Sequence, residues 1–94
     1  MEELVEILDR CRPYPGVTQE TSYEVYREFR AALDPLGLHE RVDVDTWDRI
    51  VTQVDELERC IGMYHYDEEP QPERADELVF AIAALQTTFE SVDV

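Results

Sequence analysis

The sequence has no lysine. All eight of its basic residues are arginine, set against 23 acids, so the 94-residue chain carries a formal charge of −15. That imbalance excludes direct binding to a phosphate backbone, which requires Lys and Arg to displace condensed counterions, and it equally disfavours an anionic membrane surface. Glycine is scarce too: Gly16, Gly37 and Gly62 stand far apart, so there is no Gly-rich loop to cradle a phosphate. Cys11 and Cys60 are the only cysteines, too few for a disulfide framework, and are expected as small core residues. No apolar run approaches the roughly 18 residues of a membrane span. The opening Met1-Glu2-Glu3-Leu4 lacks the positive segment of a secretory signal, which makes a cytoplasmic location the expectation.

What is present argues for a folded chain. Hydrophobic residues make up 44% and aromatics 10%, and they recur with a period, whereas acidic disordered tails have few aromatics and no period. The pattern predicts an all-α fold, a compact bundle of about four helices near residues 2–12, 19–34, 46–65 and 73–90, forming a single acidic domain over 1–94. Leu4, Ile7, Leu8 and Cys11 lie on one face of the first helix, which Pro13 and the Pro15-Gly16 pair close. Thr18 or Thr21 can cap the second, with Thr21-x-x-Glu24 reading as a capping box. Pro35 and Gly37 end that helix. The stretch Leu38 to Asp45 is expected as a loop, since its Val42/Val44 alternation has no partner strand. Trp47, Ile50, Val51, Val54, Leu57, Ile61 and Tyr64 then form the clearest stripe of the chain.

The acidic, proline-containing run Asp67-Glu68-Glu69-Pro70-Gln71-Pro72-Glu73 reads as an exposed connector. Beyond it, Leu78 to Leu85 are eight consecutive apolar residues, so the last helix is expected to be buried on several sides, as the centre of the bundle or against a second copy. Helical spacing places Phe29, Phe80, Phe89, Tyr23, Tyr26 and Trp47 in the core and leaves Tyr14 and Tyr66 exposed.

Little in the sequence carries chemistry. His39, His65, Cys11 and Cys60 do not fall into a zinc-ligand spacing, neither histidine forms a recognisable pair with Cys60, and no carboxylate pair stands out among 23 acids. The chain is therefore expected not to be an enzyme, and to use no metal or other cofactor. The feature that remains is the density of acids from Asp67 to Glu77, led into by Tyr64, His65 and Tyr66. Acids one helical turn apart lie about 5 to 6 Å from one another, so rows of them resemble a nucleic-acid backbone to a basic cleft. A neighbouring tyrosine supplies the packing anchor that charge lacks. The expected partner-binding residues are Tyr66, Asp67, Glu68, Glu69, Glu73, Asp76 and Glu77.

In size, charge and lack of catalytic motifs the chain resembles phage-encoded anti-restriction and anti-CRISPR proteins, and the small acidic immunity proteins that neutralise nuclease toxins. That resemblance rests on composition. It implies a basic nucleic-acid-binding protein or nuclease as partner, no direct contact with nucleic acid, and a host cytoplasm as the site of action for a phage protein. A different expectation starts from the missing lysine: a helical interaction module of a salt-adapted organism, whose charge suits its solvent and which homodimerises through the helix containing Leu78 to Leu85. A GC-rich genome that favours arginine codons would leave the same trace.

Overall fold

The computed structural model describes residues 1–92 and shows the expected all-α bundle. The helices are α1 (Glu2–Asp9), α2 (Gln19–Leu33), α3 (Val44–Tyr64) and α4 (Ala75–Ser91), with short 3₁₀ turns between them and no strand among the described residues. Residues 93 and 94 of the domain expected over 1–94 lie outside the described residues.

The boundaries follow local chemistry. α1 stops at Asp9, before the expected 12, and residues 10–12 turn toward Pro13. Thr18 rather than Thr21 caps α2: its backbone is extended and its hydroxyl accepts from the Thr21 amide at 3.1 Å. Thr21 lies inside the helix, so the capping box read at Thr21 does not form. Gly37, at φ 59°, provides the left-handed residue that ends the turn after α2. The next stretch, expected as a plain loop, contains a 3₁₀ turn at Leu38–Glu40 that sinks Leu38 into the core. α3 starts at Val44, two residues earlier than its stripe predicts, because Asp43 takes the N-cap position and its carboxylate accepts from the Thr46 hydroxyl. Residues 72–74 form a 3₁₀ turn, so α4 begins at Ala75 rather than 73.

One core unites the four helices. Phe29 of α2 and Phe89 of α4 are both fully buried, with ring centroids 6.0 Å apart, and Tyr26 stands 6.4 Å from Phe29. Ile50, Leu57 and Ile61 of α3 and Leu78, Ile82 and Leu85 of α4 fill the same interior, with Leu4 and Leu8 of α1. At about 25 cal/mol per Å² of apolar surface removed from water, each such side chain contributes on the order of 1.5–3 kcal/mol. Val51, on the predicted α3 stripe, is instead exposed. Gly62 lies inside α3, where a side chain would meet the Tyr23 hydroxyl of α2 at 3.3 Å.

Both cysteines are buried free thiols, as their spacing predicts. Burial pushes the Cys11 thiol up to about 11 and raises that of Cys60, with Glu56 adding to the effect. Neither is a ready nucleophile at neutral pH.

The expectation for α4 needs correction. Leu78, Ala81, Ile82, Leu85 and Phe89 face inward, but Phe80 is 76% exposed and Ala83 also faces solvent. The helix is covered on one side only. Phe80 is not a core residue: it sits at the one phase of the apolar run that the bundle leaves open.

Candidate functional site

The predicted partner-binding residues lie on the α3–α4 connector and the first turn of α4. α3 ends at Tyr64, which is buried, and His65 follows at 1% exposure. From there the chain emerges: Tyr66 is 60% exposed, and Asp67, Glu68, Glu69, Glu73, Asp76 and Glu77 are exposed with it. All seven are exposed along one stretch of chain, from the end of α3 to the first turn of α4. From Asp67 to Glu77 there are six carboxylates and one arginine, a net −5 over eleven residues.

This connector is held in shape. The Gln71 amide donates to the Tyr64 carbonyl at 2.7 Å, and the Gln71 side chain donates to the carbonyls of Tyr66 and Glu69 at 3.3 Å each. Asp67 and Glu68 both adopt left-handed backbone, at φ 56° and 63°. Such a conformation costs a non-glycine residue roughly 1–2 kcal/mol, and two in succession persist only where the surroundings over-determine them. No glycine marks this turn, which is why sequence alone does not reveal it.

Most of these acids have no arginine beside them. Arg10 pairs with Glu28 across α1 and α2, and Arg12, Arg30 and Arg59 pair with Asp9, Asp34 and Glu56 within a turn or so of themselves. Within the candidate site only Glu77 is paired, with Arg74 at 3.4 Å. Among the described residues, Asp67, Glu68, Glu69, Glu73 and Asp76 make no ion pair. The hydrogen bond from Arg59 holds the Glu56 carboxyl below its ordinary range, so that pair is charged at neutral pH. Asp76 and Glu77 also lie in the first turn of α4, where the helix dipole favours negative charge.

His65 serves the fold at the root of this surface. Its Nε2 shares a hydrogen bond of 2.8 Å with the Ser22 hydroxyl of α2, and the Tyr64 ring stands edge-on at 4.9 Å. Its Nδ1 is buried without a partner. Burial lowers the His65 pKa, so the unfolded chain, with an ordinary value near 6.5, takes up the proton first as the pH falls. The stabilising contribution of neutral His65 is therefore complete above about pH 6.5 and is lost below it, at up to about 1.4 kcal/mol per pH unit. Urea unfolding at about pH 7.5 and about pH 5.5 should show the parent losing more stability than His65→Gln over that interval. Equal losses would mean that His65 does not carry the proton linkage.

Among the described residues, no three His, Cys, Asp or Glu side chains converge on a point that could hold a metal ion. No helix there is long and apolar enough to cross a membrane.

A second surface feature went unseen in the sequence. On the outer side of α3 and α4, Phe80, Gln53 and Ala84 line two adjoining open hollows. One, of about 660 Å³, is bordered by Glu56, Arg59, Asp76 and Glu77; the other, of about 350 Å³, is lined by Gln53, Ala83, Ala84, Thr87 and Thr88. No family model matches the chain, and neither does any curated protein or solved structure.

Proposed function

We propose that the chain is a small acidic inhibitor of the nucleic-acid-mimicking kind, like the anti-CRISPR and anti-restriction proteins of phages and mobile elements, which occupies the basic groove of a nucleic-acid-binding protein. The observation that carries this reading is the connector: unpaired carboxylates on a backbone held by Gln71 in an unfavourable left-handed turn, with exposed Tyr66 at their edge. A merely solvated acidic loop has no need of fixed geometry. A basic cleft does benefit from it, because preordered charge avoids the entropy of arranging a flexible tail. An immunity protein that blocks a nuclease toxin would use the same chemistry on a different partner.

The test is capture followed by competition. The immobilised chain, exposed to lysate of the cell that expresses it, should retain a basic protein that duplex DNA or RNA releases at unchanged ionic strength. A protein retained equally well in excess nucleic acid contradicts mimicry.

One observation favours adaptation to salt instead: exposed acids are not confined to the connector but also cover α1 and α3, at Glu2, Glu3, Glu6, Asp48 and Asp55. Circular dichroism separates the two readings. The inhibitor is expected to be fully helical in dilute buffer, whereas a salt-adapted module gains helix steeply toward molar salt, as the Debye length shrinks to about 3 Å at 1 M.

A further inference from the structure

We infer that His65 is a proton-operated latch on the acidic connector: taking up a proton drives its ring out of the bundle and frees residues 66–71 from the end of α3, while the core stays folded. The geometry that carries this is a buried imidazole at the foot of a strained turn. His65 is 1% exposed, its Nε2 shares one hydrogen bond with the Ser22 hydroxyl at 2.8 Å, and its Nδ1 is buried without a partner. An imidazolium bears a proton on both nitrogens. Kept in place, it would hold a charge and an unanswered N–H inside the protein, a costly state.

No opposite charge compensates it there. On α2 the ring meets Ser22, while Tyr23 turns its hydroxyl to Gly62 of α3 and the flanking Glu20 and Glu24 are exposed. On its own side stands the Tyr64 ring, and Tyr66, Asp67 and Glu68 beyond it face solvent. The 72–74 turn packs against α3 with Glu73 exposed and Arg74 drawn to Glu77, and Asp76 is exposed at the start of α4. Burial alone acts on the pKa of the ring, and it lowers it.

The connector is the part that can give way. The Gln71 amide donates to the Tyr64 carbonyl, the Glu68 amide to the His65 carbonyl at 2.9 Å and the Glu69 amide to the Tyr66 carbonyl at 3.2 Å, so its backbone is anchored on residues 64–66. Residues 66–69 are already exposed. Detaching them uncovers little apolar surface, whereas unfolding the bundle would expose Phe29, Phe89 and Ile61, so local opening is the less costly way for the ring to reach water. The left-handed backbone of Asp67 and Glu68 relaxes at the same time. Once outside, the imidazolium stands among Asp67, Glu68 and Glu69, whose carboxylates stabilise it. Protonation thus disfavours the closed form and favours the open one, and each pH unit below about 6.5 raises the open population up to about tenfold.

Nuclear magnetic resonance between about pH 8 and about pH 5, where exposed Asp and Glu stay largely ionised, tests the latch. The amide signals of Glu68, Glu69 and Gln71 should shift together with the His65 ring and apart from His39, which is exposed on the Leu38–Glu40 turn. The ring signals of Phe29 and Phe89 should stay in place. Ser22→Ala removes the hydrogen bond that holds the closed form, and should move the connector's midpoint up by as much as about one pH unit, an opening about tenfold easier. His65→Gln should leave the connector indifferent to pH over this range. Connector amides that do not follow His65, a Ser22→Ala midpoint equal to the parent's, a His65→Gln connector that still responds, or core signals lost along with the connector's would each overturn the latch. That opening also weakens capture of a basic partner rests on the function proposed above. Binding that survives an open connector would overturn the surface assigned to that function and leave the latch standing, whereas a connector that never opens would remove the latch and leave the function untouched.

Discussion

Phe29→Ala should cost the fold about 3–5 kcal/mol, the usual loss for a fully buried phenylalanine. Phe29 has no exposed surface and joins Tyr26 and Phe89 where α2 meets α4, so no neighbouring solvent can fill the space it leaves. A chain of this length has a total stability of roughly 5–14 kcal/mol, and the self-repulsion of 15 uncompensated charges places it toward the lower end in dilute buffer. The thermal midpoint should fall by at least about 12 °C, at 4 °C or more per kcal/mol for a domain of this size. Thermal denaturation followed by circular dichroism measures it. A drop of only a few degrees would mean that the Phe29–Phe89 contact is not central to the core.

The second large effect concerns binding. Changing Glu68, Glu69, Glu73, Asp76 and Glu77 to their amides should leave the fold intact, because all five are exposed and only Glu77 loses an ion pair, the surface contact with Arg74. Association with the basic partner should slow by roughly 100-fold at low salt, because electrostatic steering separates encounter rates near 10⁸ from those near 10⁶ M⁻¹s⁻¹. Dissociation should change less, since Tyr66 and the packing around it remain. Stopped-flow or biosensor kinetics resolve the two rates.

The fold was largely legible because period carries phase. In α3, Ile50, Val54, Leu57, Ile61 and Tyr64 alternate with charged residues, and their inward direction could be read directly. Eight apolar residues in a row have no phase. From Leu78 to Leu85 nothing in the sequence distinguishes Ile82, wholly buried, from Phe80, which stands in solvent; the neighbours that cover one face come from α1 and α3. Helix starts shifted at α3, where Asp43 takes the N-cap position, and at α4, which follows the 3₁₀ turn at 72–74; α2 starts at 19 as expected, with Thr18 rather than Thr21 as its cap.

The candidate site was legible as composition but not as shape. The acids from Asp67 to Glu77 announce themselves, and Tyr66 was expected to be exposed and is. Their ordering was hidden, because it depends on Gln71 reaching back to Tyr66 and Glu69 and on a left-handed turn made without glycine. His65 shows no ligand or acid–base spacing in the sequence, and its structural role was hidden as well: its partner, Ser22, lies 43 residues away on α2, a separation at which no local pattern operates.

The function we propose requires that the carboxylates between Asp67 and Glu77 stand in for a nucleic-acid backbone. The most direct measurement is the affinity of the captured partner for the parent chain and for the five-amide variant, each with and without a duplex oligonucleotide at constant ionic strength. The oligonucleotide should compete fully with the parent, and the variant should bind far more weakly. A variant that binds as tightly as the parent, or a parent complex indifferent to the oligonucleotide, would contradict it.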